Sequence, residues 1–174
     1  MYFAVKKGRT KGIWRIQKNY LEQIRDYSGA ESNTFRTIEE ARAYLADLKF
    51  PKMDGYNFYC HEQFSKIYKN ELYAVFSLLD DCGWRLYTEQ CKVTEFVDSK
   101  SVAGNVFAVL NSLSFAQRFH LNPVHIHCNF LSIENWATGK WVRKSPIAVF
   151  FYDKIEEIRQ SGLCFDFIND KRMN

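Results

Sequence analysis

The chain has 174 residues, 47% of them hydrophobic and 17% aromatic, enough for one domain or for a small domain plus one of ordinary size. Its apolar runs are shorter than the roughly 18 residues of a membrane span. Charges directly follow the first short apolar run, the reverse of a secretory signal, so we expect a cytoplasmic protein. The net charge is +4, but residues 1–53 carry +5 and residues 54–174 carry −1, which predicts a basic first module.

The cysteines indicate reduced thiols. There are five, an odd number, and no two of them form a Cys-x-x-Cys pair. A disulfide framework or a structural zinc site would need closer spacing, so we expect mostly buried, unpaired thiols. The residues concerned are Cys60, Cys82, Cys91, Cys128 and Cys164.

The first module is predicted to contain two strands and two helices. Residues 2–6 and 13–16 are β-prone, and the turn between them contains two glycines. Residues 19–24 indicate a short helix. A second helix is expected to begin at Thr37, because Thr37 and Glu40 have the spacing of a capping box. Residues 49–55, with one proline and an Asp-Gly pair, are the best candidate for a linker.

The rest of the chain predicts a mixed α/β module. Residues 56–70 are aromatic-rich and ambiguous, with a single helix as one interpretation. Strands are then expected at 72–79, 84–90 and 92–97, followed by a helix at 105–119 and a strand at 124–130. A short helix at 132–138 comes next. Ser145 and Pro146 begin a last helix that ends before Gly162, and a strand at 163–168 follows. Antiparallel strands followed by alternating helices and strands indicate a mixed sheet with helices.

The opening of the chain resembles the N-terminal hybrid-binding domain of eukaryotic ribonuclease H, also called the viroplasmin or caulimovirus domain. Strand, glycine turn and helix start fall in register over roughly residues 1–48. The matching residues are Tyr2-Phe3-Ala4-Val5-Lys6-Lys7-Gly8-Arg9, Gly12-Ile13-Trp14 and Phe35-Arg36-Thr37.

Residues 71–170 resemble the ribonuclease H module that follows this domain in bacterial proteins. The matching pieces are Val102-Ala103-Gly104-Asn105, His127-Cys128-Asn129 and Ile133-Glu134-Asn135-Trp136-Ala137-Thr138-Gly139-Lys140-Trp141. The resemblance implies an α/β (α+β) fold: a small, three-layer-like hybrid-binding domain at 1–50, a linker region at 51–70, and a ribonuclease H-like mixed sheet flanked by helices at 71–174, truncated at its C-terminus.

The resemblance also implies that the catalytic carboxylates are missing. The family hydrolyses the RNA strand of an RNA–DNA hybrid with two metal ions held by four carboxylates. The first-strand position falls at Ser77 or Phe76, the helix position at Asn105 and the fourth-strand position at Asn129, while the last position would lie beyond Asn174. We therefore expect no catalytic residues and no cofactor, with Mg²⁺ only if activity remains.

Five other residues are candidates for replacement ligands. Asp80 and Asp81 are expected to form a turn, and Glu134 is expected to be solvated. His125 and His127 alternate on one strand and could share a metal, but no third ligand has matching spacing, so packing or surface roles are the alternative.

The basic residues of the first module suggest a surface that follows phosphates, with aromatic residues interleaved for stacking. The predicted nucleic-acid-binding residues are Lys6, Lys7, Arg9, Lys11, Trp14 and Arg15. The family's own contacts are replaced, by Gln17 at the first helix and by Ser32-Asn33-Thr34 before the second. A solvated basic hairpin remains the alternative. Trp84, Trp136 and Trp141 are expected to pack rather than to stack on bases.

Three functions remain open. The first is a catalytically degenerate ribonuclease H-like protein that binds RNA, an RNA–DNA hybrid or a ribonucleoprotein, for instance as a phage or mobile-element inhibitor of an RNA-guided CRISPR nuclease. The second is a metal-dependent ribonuclease with a rearranged or partner-completed site. The third is a protein–protein interaction module.

Overall fold

The structure is a computed structural model that describes residues 1–65 and 71–168. No helix within these two ranges combines the length and the apolar character that a membrane span requires. The elements in chain order are β1 (Tyr2–Lys7), β2 (Lys11–Trp14), α1 (Gln17–Ile24), β3 (Glu31–Phe35), α2 (Ile38–Tyr44), β4 (Tyr56–Ser65), β5 (Glu71–Leu79), β6 (Arg85–Lys92), a 3₁₀ turn (Val97–Ser99), α3 (Ser101–Arg118), β7 (Val124–His127), α4 (Leu131–Ala137), α5 (Pro146–Gln160) and β8 (Phe165–Ile168).

One eight-stranded mixed sheet runs through both modules, in the order β3-β1-β2-β6-β5-β4-β7-β8. The modules meet where β2 pairs with β6 in parallel, with Gly12 opposite Thr88. A side chain at Gly12 would place its Cβ 1.9 Å from the Thr88 carbonyl oxygen, and the φ of Gly12 is +149°. Only glycine fits here, so the sequence is adapted to this seam between the modules.

Helices cover the two faces of the sheet differently. Phe76 and Glu89 are cross-strand partners and therefore share a face. Phe76 contacts Phe115 of α3, and Glu89 contacts Arg42 of α2. We call this side, covered by α2 and α3, the front face. The other side, which we call the back face, carries α1, because Tyr20 of that helix stacks on Phe3 of β1.

The main core lies between the front face and α3. Phe115 is fully buried and contacts the rings of Phe58, Phe76 and Tyr87, with centroid distances of 4.4–6.0 Å. Ala116 and Val109 on the same helix are also fully buried. This aromatic cluster anchors α3 across the central strands and so fixes the position of its N-terminus.

A buried ion pair crosses the seam between the modules. The Arg42 guanidinium of α2 donates two hydrogen bonds to the Glu89 carboxylate of β6, whose side chain is 1% exposed. The Tyr87 hydroxyl donates a further bond to Glu89 at 3.0 Å. The first module is therefore joined to the second by backbone pairing on the sheet and by a charged contact beneath it.

The mixed α/β architecture is confirmed, as are the two helix starts that were predicted from capping residues. Thr37 and Glu40 form the reciprocal capping box, with bonds of 3.2 and 3.1 Å. Ser145 caps α5 through a bond from the Ala148 amide, and Pro146 is at its first position. The five cysteines are unpaired, although Cys82 and Cys164 are exposed rather than buried.

Several details of the prediction are wrong, among them the expected packing of Trp84, which is 74% exposed. Residues 56–65, interpreted as linker or helix, form strand β4 near the centre of the sheet, because alternate residues from Tyr56 to Cys60 pack into the core. Residues 92–97 do not form the predicted third strand of this module, because β6 ends at Lys92 and the 3₁₀ turn begins at Val97. Strand β3 was missed because its polar sequence pairs only with β1, at the edge of the sheet. Residues 66–70, also in the ambiguous segment, lie outside the described residues.

The stability of this fold is expected to fall in acid through Glu71. The Lys92 ammonium, and then the Tyr73 hydroxyl, hold the pKa of the Glu71 carboxyl below its ordinary value by hydrogen bonding. Because the folded pKa is lowered, this stabilisation is present above about pH 4.5 and is lost as the pH falls through the folded pKa. Urea unfolding of Glu71→Gln should therefore show a deficit relative to the parent at about pH 6 that shrinks at about pH 3. Exposed Glu95, changed to Gln, is the control. A deficit that stays constant with pH would contradict this assignment.

Candidate functional site

A small polar cluster lies where α3 begins above strand β4. The Asn105 Nδ2 donates hydrogen bonds to Glu62 Oε2 at 2.5 Å and to the Ser101 carbonyl at 2.9 Å. The Cys128 Sγ, just after β7, donates to Asn105 Oδ1 at 3.6 Å. Asn105 is 1% exposed. We call Glu62, Asn105 and Cys128 the β4–α3 cluster.

The local sequence explains how these groups meet. Strand alternation places Glu62 on the same front face as Cys60, whose thiol contacts the Ala108 carbonyl of α3. Gly104 lets the helix approach closely, since a Cβ there would be 2.4 Å from the Glu62 Cβ. β7 pairs with β4 in parallel, so the residues after β7 reach the same end of the sheet.

The chemistry of the cluster does not fit a two-metal centre. Glu62 is its one carboxylate, and the Asn105 amide supplies a neutral oxygen that already accepts from Cys128. Burial raises the pKa of the Cys128 thiol to about 11, so it is protonated at neutral pH and is a poor ligand and nucleophile. Within residues 1–65 and 71–168, no three His, Cys, Asp or Glu side chains are grouped to hold a metal.

The structure does not bring all of the predicted metal-ligand positions together. Asn105 is in the cluster, and Asn129 is an exposed residue directly after Cys128. Ser77 is not in it: this residue lies on the back face and hydrogen-bonds to Thr88 at 2.8 Å. Phe76 lies in the front-face core. Both predictions assume that β5 is the first strand of the module. With β4 as that strand, Glu62 is the residue beside Asn105, and sequence reasoning missed it.

Four of the other candidate ligands have local partners, and the fifth, Asp81, is an exposed residue of the same turn as Asp80. Asp80 accepts bonds from the backbone amides of Cys82 and Trp84, the expected turn-forming role. Glu134 pairs with Lys140 at 3.1 Å. The two predicted histidines share the back face, where one lies against Asp166 and the other against Asn57 and Tyr59. None of these groups is part of the β4–α3 cluster.

Most of the predicted nucleic-acid-binding residues are occupied within the fold. Lys6 is 2.6 Å from Asp47, and Trp14 is buried at 3% exposure. The Arg9 guanidinium donates to the carbonyls at the end of α1, and the Arg15 guanidinium donates to the Met1 carbonyl and lies over the Tyr2 ring. The two others are Lys7 and Lys11. Their side chains make no hydrogen bond or ion pair with any described residue.

A second group of exposed cations, which the sequence did not single out, lies along α1. Lys18 and Arg25 line a concavity of about 640 Å³ together with Arg9, with Glu22 and Asp26 as the acids nearby. Lys18 lies in the first turn of α1 and Arg25 directly after its last residue, whereas the Arg9 guanidinium is bound to the carbonyls of that helix end. The exposed charges of Lys18 and Arg25 are available to phosphates of a nucleic-acid backbone. We call this surface the α1 groove. Helical spacing from residue 17 to residue 25 is the signal that could have identified it.

The amide of Asn105 is expected to be essential to the β4–α3 cluster. Changing Asn105 to Asp replaces a buried hydrogen-bond donor by a carboxylate beside the half-buried carboxylate of Glu62. We expect the free energy of unfolding at neutral pH to fall by about 2–3 kcal/mol, the value of a hydrogen bond to a charged group. Thermal or urea unfolding measures this loss. The half-buried Asn111 of the same helix, changed to Asp, should cost much less. Equal losses in both variants would contradict the assignment.

Comparison with known proteins first identifies the N-terminal module. Residues 1–45 match the family described as Ribonuclease H1 N-terminal domain. Within this region the chain is 43% identical over 44 residues to a ribonuclease H of Crithidia fasciculata. The match covers 25% of this chain and 9% of that relative, so the chain spans a small part of the curated protein that it resembles.

Solved structures show the fold of the larger part of the chain. The ribonuclease H1 of Halobacterium salinarum has a TM-score of 0.52 at 13% identity, over 66% of this chain and 85% of that one. LC11 ribonuclease H1, isolated from compost and solved in complex with an RNA/DNA hybrid, has a TM-score of 0.53 at 18% identity, over 67% and 87%. These likenesses show a ribonuclease H fold.

Proposed function

We propose that this chain, a ribonuclease H family protein by its N-terminal domain and its fold, binds RNA–DNA hybrid. We propose further that it does not hydrolyse the hybrid on its own. The N-terminal domain supports the hybrid as the ligand. A solved protein with a similar fold was captured with such a hybrid. The α1 groove supplies exposed cations for the phosphates.

The observation that carries the second half of the proposal is the hydrogen bond between Asn105 and Glu62. Hydrolysis by two metal ions requires several carboxylates that converge on the same point. In the β4–α3 cluster an amide and a thiol take up the neighbouring positions, and the amide donates to the one carboxylate. The hydrogen bond from Asn105 already stabilises the Glu62 carboxylate, so this carboxylate does not require a bound cation. The proposal therefore requires no metal cofactor.

An electrophoretic shift series tests the choice of ligand. The chain is titrated into RNA–DNA hybrid, RNA duplex and DNA duplex of one sequence, at about 50 and about 200 mM salt. We expect the hybrid to bind most tightly and every affinity to weaken at the higher salt. Absence of binding to all three nucleic acids at low salt would contradict the proposal and would favour a protein–protein module.

The finer form of the proposal concerns where such a hybrid occurs. RNA-guided nucleases hold an A-form guide–target heteroduplex in a basic channel, which a hybrid-binding fold could engage. We propose an inhibitor of such a nuclease, carried by a phage or mobile element and acting in the cytoplasm, as the specific role. Co-purification with a guide-loaded nuclease, in the presence and absence of target DNA, tests it. Association that is the same without guide RNA would contradict a role based on hybrid recognition.

A further inference from the structure

A polar cavity lies on the back face, at the seam between the two modules. Its volume is about 350 Å³. Helix α1 forms one wall, through Asn19 and Gln23, and strand β4 forms another, through His61 and Gln63. Trp14, at the end of β2 and 3% exposed, borders its inner side. The cavity is separate from the β4–α3 cluster, which is on the opposite face.

A chain of hydrogen bonds fixes the orientation of Gln63. Gln90 Oε1 accepts from the Arg15 backbone amide at 3.1 Å, so the Nε2 of Gln90 is the atom that faces Gln63. Gln63 Oε1 accepts that bond at 2.9 Å. The Nε2 of Gln63 therefore remains as a donor with two protons for a ligand in the cavity.

Two more groups in the wall have unused hydrogen-bonding capacity. Among the described residues, neither the His61 imidazole nor the Asn19 side-chain amide has a hydrogen-bond partner. Burial lowers the pKa of His61, so its ring is neutral at pH 7 and presents one donor and one acceptor. Asn19 presents a donor and an acceptor as well. The cavity thus offers both kinds of group to one ligand.

The charges around the cavity favour an uncharged ligand. Arg85 and Glu22 are the charged residues in its lining, and their formal charges cancel. A phosphate would gain little here, because one cation is offset by one anion. A flat, uncharged molecule with donors and acceptors along its edge suits the neutral polar wall better.

We propose that this cavity holds a single unpaired nucleobase of the nucleic acid that the chain binds. The inference rests on the proposed function and adds a preference for a hybrid with an unpaired base. Glu22 lines both this cavity and the α1 groove, so the two sites share the wall formed by α1. One strand can therefore place its phosphates in the groove and turn a base into the cavity. Bases that leave the stack are bound elsewhere by hydrogen bonds to their edges and by stacking on aromatic groups.

The test compares two hybrids that differ in one nucleotide. One is fully paired, and the other carries a single bulged 2-aminopurine. We expect the chain to bind the bulged hybrid at least about tenfold more tightly, because the unpaired base gains several hydrogen bonds to the cavity wall. We also expect the fluorescence of the 2-aminopurine to change on binding. Asn19→Leu and His61→Leu should each remove most of this preference and leave the affinity for paired hybrid as it was.

The controls separate this inference from the function on which it rests. Gln160→Leu, an exposed amide at the end of α5, should keep the full preference. Equal affinity for the two hybrids would overturn the cavity inference and leave hybrid binding intact. A preference that persists in both Asn19→Leu and His61→Leu would overturn it too. Failure of the parent chain to bind either hybrid would overturn the proposed function together with the inference.

Discussion

Changing Arg42 to Met is expected to lower the free energy of unfolding by about 3–5 kcal/mol, the cost of leaving a buried charge without its partner. Glu89 is 1% exposed and receives two hydrogen bonds from the Arg42 guanidinium. Of the hydrogen bonds to Glu89 described above, the one from the Tyr87 hydroxyl would remain. Because the ion pair crosses the seam, its loss weakens both the contact between the modules and the packing of α2 on the sheet. Urea unfolding followed by circular dichroism measures the change.

A double variant distinguishes a broken ion pair from lost packing. Changing Arg42 to Met together with Glu89 to Leu removes both charges, and we expect it to recover much of the lost stability. Exposed Arg36, changed to Met, serves as the matched control and should shift stability by less than about 0.5 kcal/mol. A double variant as unstable as Arg42→Met alone would contradict the electrostatic explanation.

The second large effect concerns the α1 groove. Changing Lys18 and Arg25 together to Ala should lower the affinity for RNA–DNA hybrid by at least about tenfold. Each lost phosphate contact also reduces the slope of log affinity against log salt by about 1, so the slope should fall by about 2. The loss should be similar for every hybrid sequence, because phosphate contacts carry no sequence information. Fluorescence anisotropy over a series of salt concentrations measures both quantities.

The matched control removes the same charge elsewhere. Lys154 and Arg159 are exposed on α5, each paired with a glutamate three residues away. Changing both to Ala should leave the salt slope nearly as it is in the parent chain. An equal fall in both double variants would mean that net charge rather than the α1 groove determines binding.

The capped helices were the most predictable part of the fold. Thr37, Glu40, Ser145 and Pro146 act on residues within one helical turn, so their spacing alone was enough. Strand β4 was missed for the opposite reason. Its alternate burial depends on pairing with β5 and β7, and the partner strand β7 is more than sixty residues away. The error then moved the first-strand position to Ser77 or Phe76, on β5 instead of β4.

The basic surface shows the same limit for side chains. The sequence correctly identified an excess of cations in the first module, but not which of them have partners. Asp47 pairs with Lys6 from 41 residues away, and the carbonyls of α1 occupy Arg9. Lys18 and Arg25 were overlooked because they are spread over a helix instead of clustered in the hairpin. Charge counts locate a basic module, and only the fold shows which charges are available to a ligand.

The most direct test of the central claim is one assay that records binding and cleavage together. The chain is incubated with end-labelled RNA–DNA hybrid in Mg²⁺ or Mn²⁺, and the samples are divided between a native gel and a denaturing gel. We predict a shifted complex on the native gel and intact RNA on the denaturing gel, with either metal. RNA fragments that disappear when Glu62 is changed to Gln would contradict the account, because the β4–α3 cluster would then be an active site.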